Sequence, residues 1–151
     1  MTHHIFYLPT CSTCQRILKE WNPSKQFVLQ DIKNDKITSA QLDKMIELAG
    51  SAEALFSRRS MKYQALGLKD KKLTEKDYRK FILEEYTFLK RPVLVSDNKI
   101  FIGNSASVIQ AAKEQISFIN KNKKRNLIWH YSPLTCCMAS TIWWQKGLCP
   151  V

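Results

Sequence analysis

Two thiols and two arginines are the residues of this sequence whose types and spacing could do chemistry. Cys11 and Cys14 stand in Pro9-Thr10-Cys11-Ser12-Thr13-Cys14-Gln15-Arg16, directly after the apolar run Ile5-Phe6-Tyr7-Leu8. A thiol attacks as its thiolate, so a useful cysteine needs its pKa lowered. The start of a helix does this, because its first N–H groups have no intrahelical partner and carry the positive end of the dipole. Cys11 falls at such a junction, with Ser12 and Thr13 in the first turn, and the same N–H groups would receive an oxyanion substrate. Thiolate and oxyanion repel each other, so cationic side chains are expected nearby. Arg59, in Ser57-Arg58-Arg59-Ser60, and Arg91, just before Pro92, are the candidates. A guanidinium fork suits a tetrahedral oxyanion better than an ammonium does. Arg58 reads as the bystander of its pair. Cys14 reads as the resolving thiol that closes a disulfide with Cys11, with packing on the apolar helix face as the alternative.

These residues need a frame that brings them together. Ile5–Leu8, stopped by Pro9, suits a buried strand. Cys14, Ile17, Leu18 and Trp21 follow the spacing of a helix face, which Asn22-Pro23-Ser24 ends. Phe27–Ile32 reads as a second strand, so the first unit is a parallel pair joined by a right-handed crossover. Thr38 and Gln41 at capping-box spacing open a helix that closes at Gly50, and a short helical piece follows around 52–56. Thr74 with Asp77 caps another helix, with Tyr78, Phe81 and Ile82 on its face. Arg91–Val95 and Lys99–Gly103 flank Asp97-Asn98 as a hairpin, and a final amphipathic helix carries Val108, Ala112, Ile116 and Ile119. In a thioredoxin-like fold the proline at the start of the third strand, here Pro92, is commonly cis and faces the first helix, which would set Arg91 and Val93 beside Cys11. Only an X-Pro bond takes that form at modest cost. The expected architecture is α/β and thioredoxin-like. It runs βαβ, a helical insert at about 38–88, then ββα, with one four-stranded mixed sheet over residues 1–120.

Composition bounds the setting. The chain has 151 residues and 24 Lys plus Arg against 13 Asp plus Glu, a net charge of +11 that favours anionic ligands or partners. Met1-Thr2-His3-His4-Ile5 shows no basic leader with a long apolar run, and no stretch is apolar for long enough to span a membrane, so the expected location is cytoplasmic. Cys136, Cys137 and Cys149 bring the cysteines to an odd five. In a cytosolic chain such counts favour redox or catalytic thiols over a disulfide framework. The spacing of Cys, His3, His4 and His130 does not make a zinc set, and no metal is expected. No recognition-helix pattern points to direct DNA readout. Residues 121–151 begin with the basic Lys121-Asn122-Lys123-Lys124-Arg125 and continue apolar and rich in Cys and Trp. They are expected to be a poorly structured extension that carries no chemistry.

Three motifs in order resemble the ArsC/Spx family of arsenate-reductase-like proteins and related transcriptional regulators. They are Tyr7-Leu8-Pro9-Thr10-Cys11-Ser12-Thr13-Cys14, then Ser57-Arg58-Arg59-Ser60 through Gly67-Leu68, then Leu89-Lys90-Arg91-Pro92-Val93 followed by Ile102-Gly103-Asn104. The resemblance implies a nucleophilic Cys11 that attacks arsenate, and Arg59 and Arg91 that hold the oxyanion and stabilise the thiolate. It also implies electrons supplied by glutathione and glutaredoxin, or by thioredoxin, with no bound cofactor. Two departures accompany it. The reductases commonly carry a third arginine after the hairpin, where this chain reads Gly103-Asn104-Ser105. Spx-like proteins have a cysteine matching Cys14, which the glutathione-linked enzymes usually lack. Both departures point toward general thiol–disulfide work, and they keep a second expectation in view: a redox-sensing regulator that binds the RNA polymerase α subunit through a Cys11–Cys14 switch.

Overall fold

A computed structural model describes residues 3–129 of the chain. Strand β1 is His3–Tyr7, helix α1 is Ser12–Trp21 and strand β2 is Phe27–Asp31. The insert follows as α2 (Ser39–Ala49), α3 (Ala52–Leu55), α4 (Met61–Ala65) and α5 (Glu75–Glu84), with 3₁₀ turns at Leu68–Asp70 and Tyr86–Phe88. Strands β3 (Val93–Ser96) and β4 (Lys99–Ile102) then form a hairpin, and α6 spans Ala106–Trp129. The sheet order is β2-β1-β3-β4: β1 and β2 are parallel, while β1–β3 and β3–β4 are antiparallel. This is the thioredoxin-like mixed sheet that the element order implied.

Local chemistry explains the boundaries. Thr38 and Thr74 each head a reciprocal capping box, with Gln41 and Asp77 as the returning side chains. Gly50, at φ 82°, closes α2 in a left-handed conformation that carries no steric penalty for glycine. Helix α4 had no signal in the sequence, because none of its residues is buried and it therefore lacks an apolar period.

Alternation along the central strands divides the interior. Phe6, Val93 and Val95 join Leu42, Met45, Leu55, Phe56, Ile82, Phe88 and Leu89 in one cluster beneath the insert. Ile5 and Leu94 point the opposite way, toward the face where Cys14, Ile17, Trp21, Ile109, Ala112 and Ile116 are buried. There the Trp21 indole donates to the Ile109 carbonyl at 3.0 Å, which fixes α1 against α6.

The chain divides into two compact units, one ending at Ser117 and the other beginning at Phe118. The described part of the second is the remainder of α6. Helix continues through Lys121–Arg125 to Trp129, beyond the boundary expected at 120. That run holds no Gly or Pro, and lysine and arginine are good helix formers whose charge suits a helix C-terminus. The rest of the expected extension, 130–151, lies outside the described residues. Among the described residues, no helix is long and apolar enough to cross a membrane.

Candidate functional site

The junction between β1 and α1 is built as the sequence suggested. Cys11 is the N-cap of α1, with extended backbone angles of φ −93° and ψ 111°. Its N–H donates to the Leu8 carbonyl at 3.1 Å, which turns the chain out of the strand, and its own carbonyl accepts from Gln15 at 3.1 Å. The Gln15 side-chain amide also donates to the Pro9 carbonyl at 2.5 Å and so pins the loop. The neutral thiol makes no capping hydrogen bond of ordinary geometry. The N–H groups of the first turn are left facing the sulfur and whatever approaches it.

Cys11 and Cys14 differ sharply in environment. Cys11 is half-buried, whereas Cys14 has 0% exposure. Burial pushes the Cys11 thiol up, but the Cys14 N–H, the Cys14 thiol, the Thr13 N–H and the Arg91 charge together bring it below its ordinary value. Burial pushes the Cys14 thiol up to about 11, and the adjacent Cys11 adds to that rise. One sulfur is prepared as an anion. The other is held as a protonated donor that faces it.

A cleft of about 820 Å³ opens over Cys11. Its walls come from three places: Cys11 and Thr13 at the start of α1, the segment from Ser51 to Arg59, and the stretches Leu89–Arg91 and Ile102–Ser105 around the hairpin. A short antiparallel bridge sets two of these side by side. Phe56 pairs with Leu89, Ser57 N–H donates to Phe88 O at 2.6 Å, and Lys90 N–H donates to Leu55 O at 2.8 Å. Lys90 Nζ adds a bond to Ala54 O at 2.8 Å. The chain then leaves this bridge at one end through Arg58-Arg59 and at the other through Arg91. Two arginines far apart in sequence are thereby brought to one cleft.

The peptide between Arg91 and Pro92 is cis, as expected. Gly103 N–H donates to Pro92 O at 2.9 Å, and Gly103 sits at φ 92°, a conformation that side-chain-bearing residues avoid. This turn sets Asn104 and Ser105 into the cleft wall, at the place where the resemblance implied another arginine.

The cationic groups of the cleft are not equivalent. Arg58 pairs with Glu53 and reaches the Tyr78 hydroxyl at 3.5 Å, so it is engaged within the fold. Arg59 is exposed and has no hydrogen-bond or ion-pair partner among the described residues. Arg91 is half-buried, and its Nη1 is fully shielded from solvent without an acceptor. A buried donor left unpaired costs roughly 1–3 kcal/mol, so an acceptor brought to it gains correspondingly.

Of the residues singled out by sequence, Cys11, Thr13, Arg59 and Arg91 line the cleft. Cys14 lies behind Cys11, and Ser12 is exposed outside the lining. Ser57, Lys90, Asn104 and Ser105 also line it and were not anticipated as binding residues. For Asn104 and Ser105 the available signal was Gly103 directly after a strand, a position that redirects the chain. Among the described residues, no three His, Cys, Asp or Glu side chains assemble into a metal-holding group.

The model of the ArsC family matches residues 6–112 of the chain. No curated protein matches it. Among solved structures, an ArsC-family-related protein from Bacteroides fragilis is similar over 74% of this chain and 98% of its own, at 24% identity and a TM-score of 0.63. A possible arsenate reductase from Streptococcus mutans UA159 is 28% identical over 66% of this chain and 87% of its own, with a TM-score of 0.54. An arsenate reductase from Vibrio cholerae is 19% identical, covering 76% of this chain and 97% of its own, with a TM-score of 0.58.

Proposed function

The chain belongs to the ArsC family, and from that premise we propose a thiol-dependent oxidoreductase with Cys11 as nucleophile and Cys14 as resolving thiol. Arg59 and Arg91 stabilise the anion. The observation that carries the reading is the unpaired, buried Arg91 Nη1 lining the same cleft as a thiol whose pKa is lowered. An oxyanion seated there accepts from that donor and from the free Arg59.

With arsenate, Cys11 Sγ forms a bond to arsenic and an arsenic-bound oxygen leaves as water after protonation. A second thiol, from Cys14 or from glutathione, then attacks Cys11 Sγ. The electron pair of the sulfur–arsenic bond passes to arsenic, which leaves as arsenite, and the two sulfurs become a disulfide. Glutaredoxin or thioredoxin returns the two electrons. With a disulfide substrate the same thiolate attacks one sulfur and expels the other as a thiolate, and Cys14 completes the exchange in the same manner.

The direct test couples the protein with arsenate, glutathione and glutaredoxin to glutathione reductase and follows NADPH consumption. Arsenate-dependent turnover that disappears in Cys11→Ser is expected; no such turnover sinks the arsenate version. A dithiol exchange assay with a small disulfide separates the broader reading from the narrower one.

One observation favours a second reading. The Cys14 thiol already faces Cys11, so the pair can close with no substrate in the cleft. As a redox switch, the protein would bind the RNA polymerase α subunit differently in its dithiol and disulfide states. Pull-downs with the purified α subunit in both states test this, and absence of binding in both ends it.

A further inference from the structure

The cycle above closes a Cys11–Cys14 disulfide that something must reopen, and the two sulfurs are not equally reachable. Cys14 has 0% exposure, so a reductant can attack only at Cys11, from the cleft side. A reductant of protein size therefore rests on the rim of that cleft. Helix α4 begins two residues after the cleft-lining Arg59, hence within about 8 Å of it along the chain. It has no buried residue of its own. Met61 is 87% exposed, more than any other large hydrophobic side chain described, and Leu66, just past the helix, is 53% exposed. Large apolar side chains left this open mark contact surfaces when they are rimmed by charge.

The chain here is mainly basic, although Glu53 and Glu85 from neighbouring segments pair with Arg58 and Lys62. Between Ser57 and Leu73 the chain carries Arg58, Arg59, Lys62, Lys69, Lys71 and Lys72 against a single acid, Asp70. Lys62 is held by Glu85, but Lys69, Lys71 and Lys72 are exposed. Exposed apolar side chains and exposed lysines on one short segment next to the cleft-lining Arg59 are complementary to a partner that offers apolar and acidic groups.

We propose that α4 and the turn after it, with Met61 and Leu66 as anchors and Lys69, Lys71 and Lys72 as rim, are the docking surface for a protein dithiol reductant with an acidic face. This rests on the Cys11–Cys14 cycle proposed above. The partner's thiolate attacks Cys11 Sγ and expels Cys14, which takes up a proton. The partner's second thiol then attacks its own sulfur in the mixed disulfide and releases the Cys11 thiolate. Two electrons pass from the partner's dithiol, which leaves as a disulfide.

The test uses the full chain, oxidised and checked by mass mapping for the Cys11–Cys14 bond. Its reduction is followed in rapid mixing with reduced thioredoxin, reduced glutaredoxin and dithiothreitol. Two surface variants, M61S/L66S and K69E/K71E/K72E, are compared with the parent. At least one protein reductant is expected to outrun dithiothreitol at equal concentration. That rate falls about tenfold in each variant, the dithiothreitol rate does not change, and the salt dependence of the parent flattens in the charge variant. Docking at this surface is overturned if neither protein outruns dithiothreitol, if the faster one is unaffected by both variants, or if dithiothreitol slows equally. Failure of the Cys11–Cys14 bond to form at all overturns the cycle itself, and it is seen before any reductant is added.

Discussion

Replacing Arg91 by Met should move stability and ligand binding in opposite directions. The side chain contributes a guanidinium whose Nη1 is buried without an acceptor, and it lines the cleft beside a thiolate-prone Cys11. Leaving a donor in that state costs the folded protein about 1–3 kcal/mol. Methionine keeps the apolar stem as far as about the Nε position and removes the unpaired donor. The ligand-free variant is therefore expected to be as stable as the parent or more stable by up to about 2 kcal/mol, read as a higher urea midpoint at unchanged slope. Binding should go the other way. A hydrogen bond to a charged partner contributes about 1.5–3 kcal/mol, so anion affinity falls roughly 10- to 100-fold.

Both halves can be read in one experiment, with urea unfolding repeated at rising arsenate or sulfate concentration. The parent gains stability as RT ln(1 + [L]/Kd), about 2.7 kcal/mol at a hundred times Kd, and at the same concentration the variant gains only about 0.4–1.4 kcal/mol. The Cys11 titration, followed by thiolate absorbance, should shift upward in Arg91→Met because one of the charges that lowers it is gone. A variant that is destabilised by more than about 1 kcal/mol, yet keeps the parent's anion response, would refute the argument from the orphaned donor.

The two adjacent arginines should separate cleanly. Arg59→Met is expected to lower kcat/KM for an oxyanion or anionic disulfide by at least tenfold, while Arg58→Met, which loses only Glu53 and Tyr78, changes it little; steady-state kinetics on both variants decide this. Cys14 gives the alkaline limit. Its folded pKa of about 11 lies above the ordinary thiol value of 9.0, so the native state keeps a proton that the unfolded chain releases. Stability is then fully present below about pH 9 and declines as pH rises toward 11, by an amount on the order of 2 kcal/mol. Urea midpoints across that range should flatten in Cys14→Ala. Cys11, shifted the other way, contributes stability that is present above its unfolded pKa and lost as pH falls through its folded value. Trp21→Phe removes the indole bond to the Ile109 carbonyl, which keeps its own helix donor, and should cost about 0.5–1.5 kcal/mol with no change in Cys11 alkylation rate.

The parts that were legible in the sequence were those whose signals are local. Thr38 with Gln41 and Thr74 with Asp77 announce their helices because a capping box is four residues long. The CxxC could be placed at a helix start because the apolar run before it and the apolar face after it change period at that point. Arg91 was legible through Pro92 at the start of the third strand, and both arginines through their motifs, but not the contact that joins their segments. Their meeting depends on the Phe56–Leu89 bridge, a pairing of short segments with no propensity of their own. Helix α4 was invisible because it has no fully buried residue and packs only Tyr63 against the core, and the engagement of Arg58 by Glu53 and Tyr78 joins residues of different elements. The basic run Lys121–Arg125 reads as the solvated end of the last helix, and α6 continues through it.

The asymmetry of the two cysteines follows from helix geometry alone. With Cys11 at the cap, Cys14 is the third residue of the first turn, and its N–H is one of the donors that a cap group can reach. Its side chain begins the apolar face that continues through Ile17 and Trp21, so it turns inward while the cap residue stays at the cleft. Spacing of three therefore leaves one cysteine half-buried at the cleft with its pKa lowered and the other buried with its pKa raised, the second supplying both a backbone and a thiol donor to the first. Had the spacing been two, the second sulfur would project from a different face of the helix and face solvent or the insert instead. On the proposed cycle the direction of attack is set before any substrate arrives: exchange begins at Cys11, ends by way of Cys14, and is reversed only through Cys11 again. The surface bordering the cleft, rather than the protein's net charge of +11 as a whole, is then what selects the reductant.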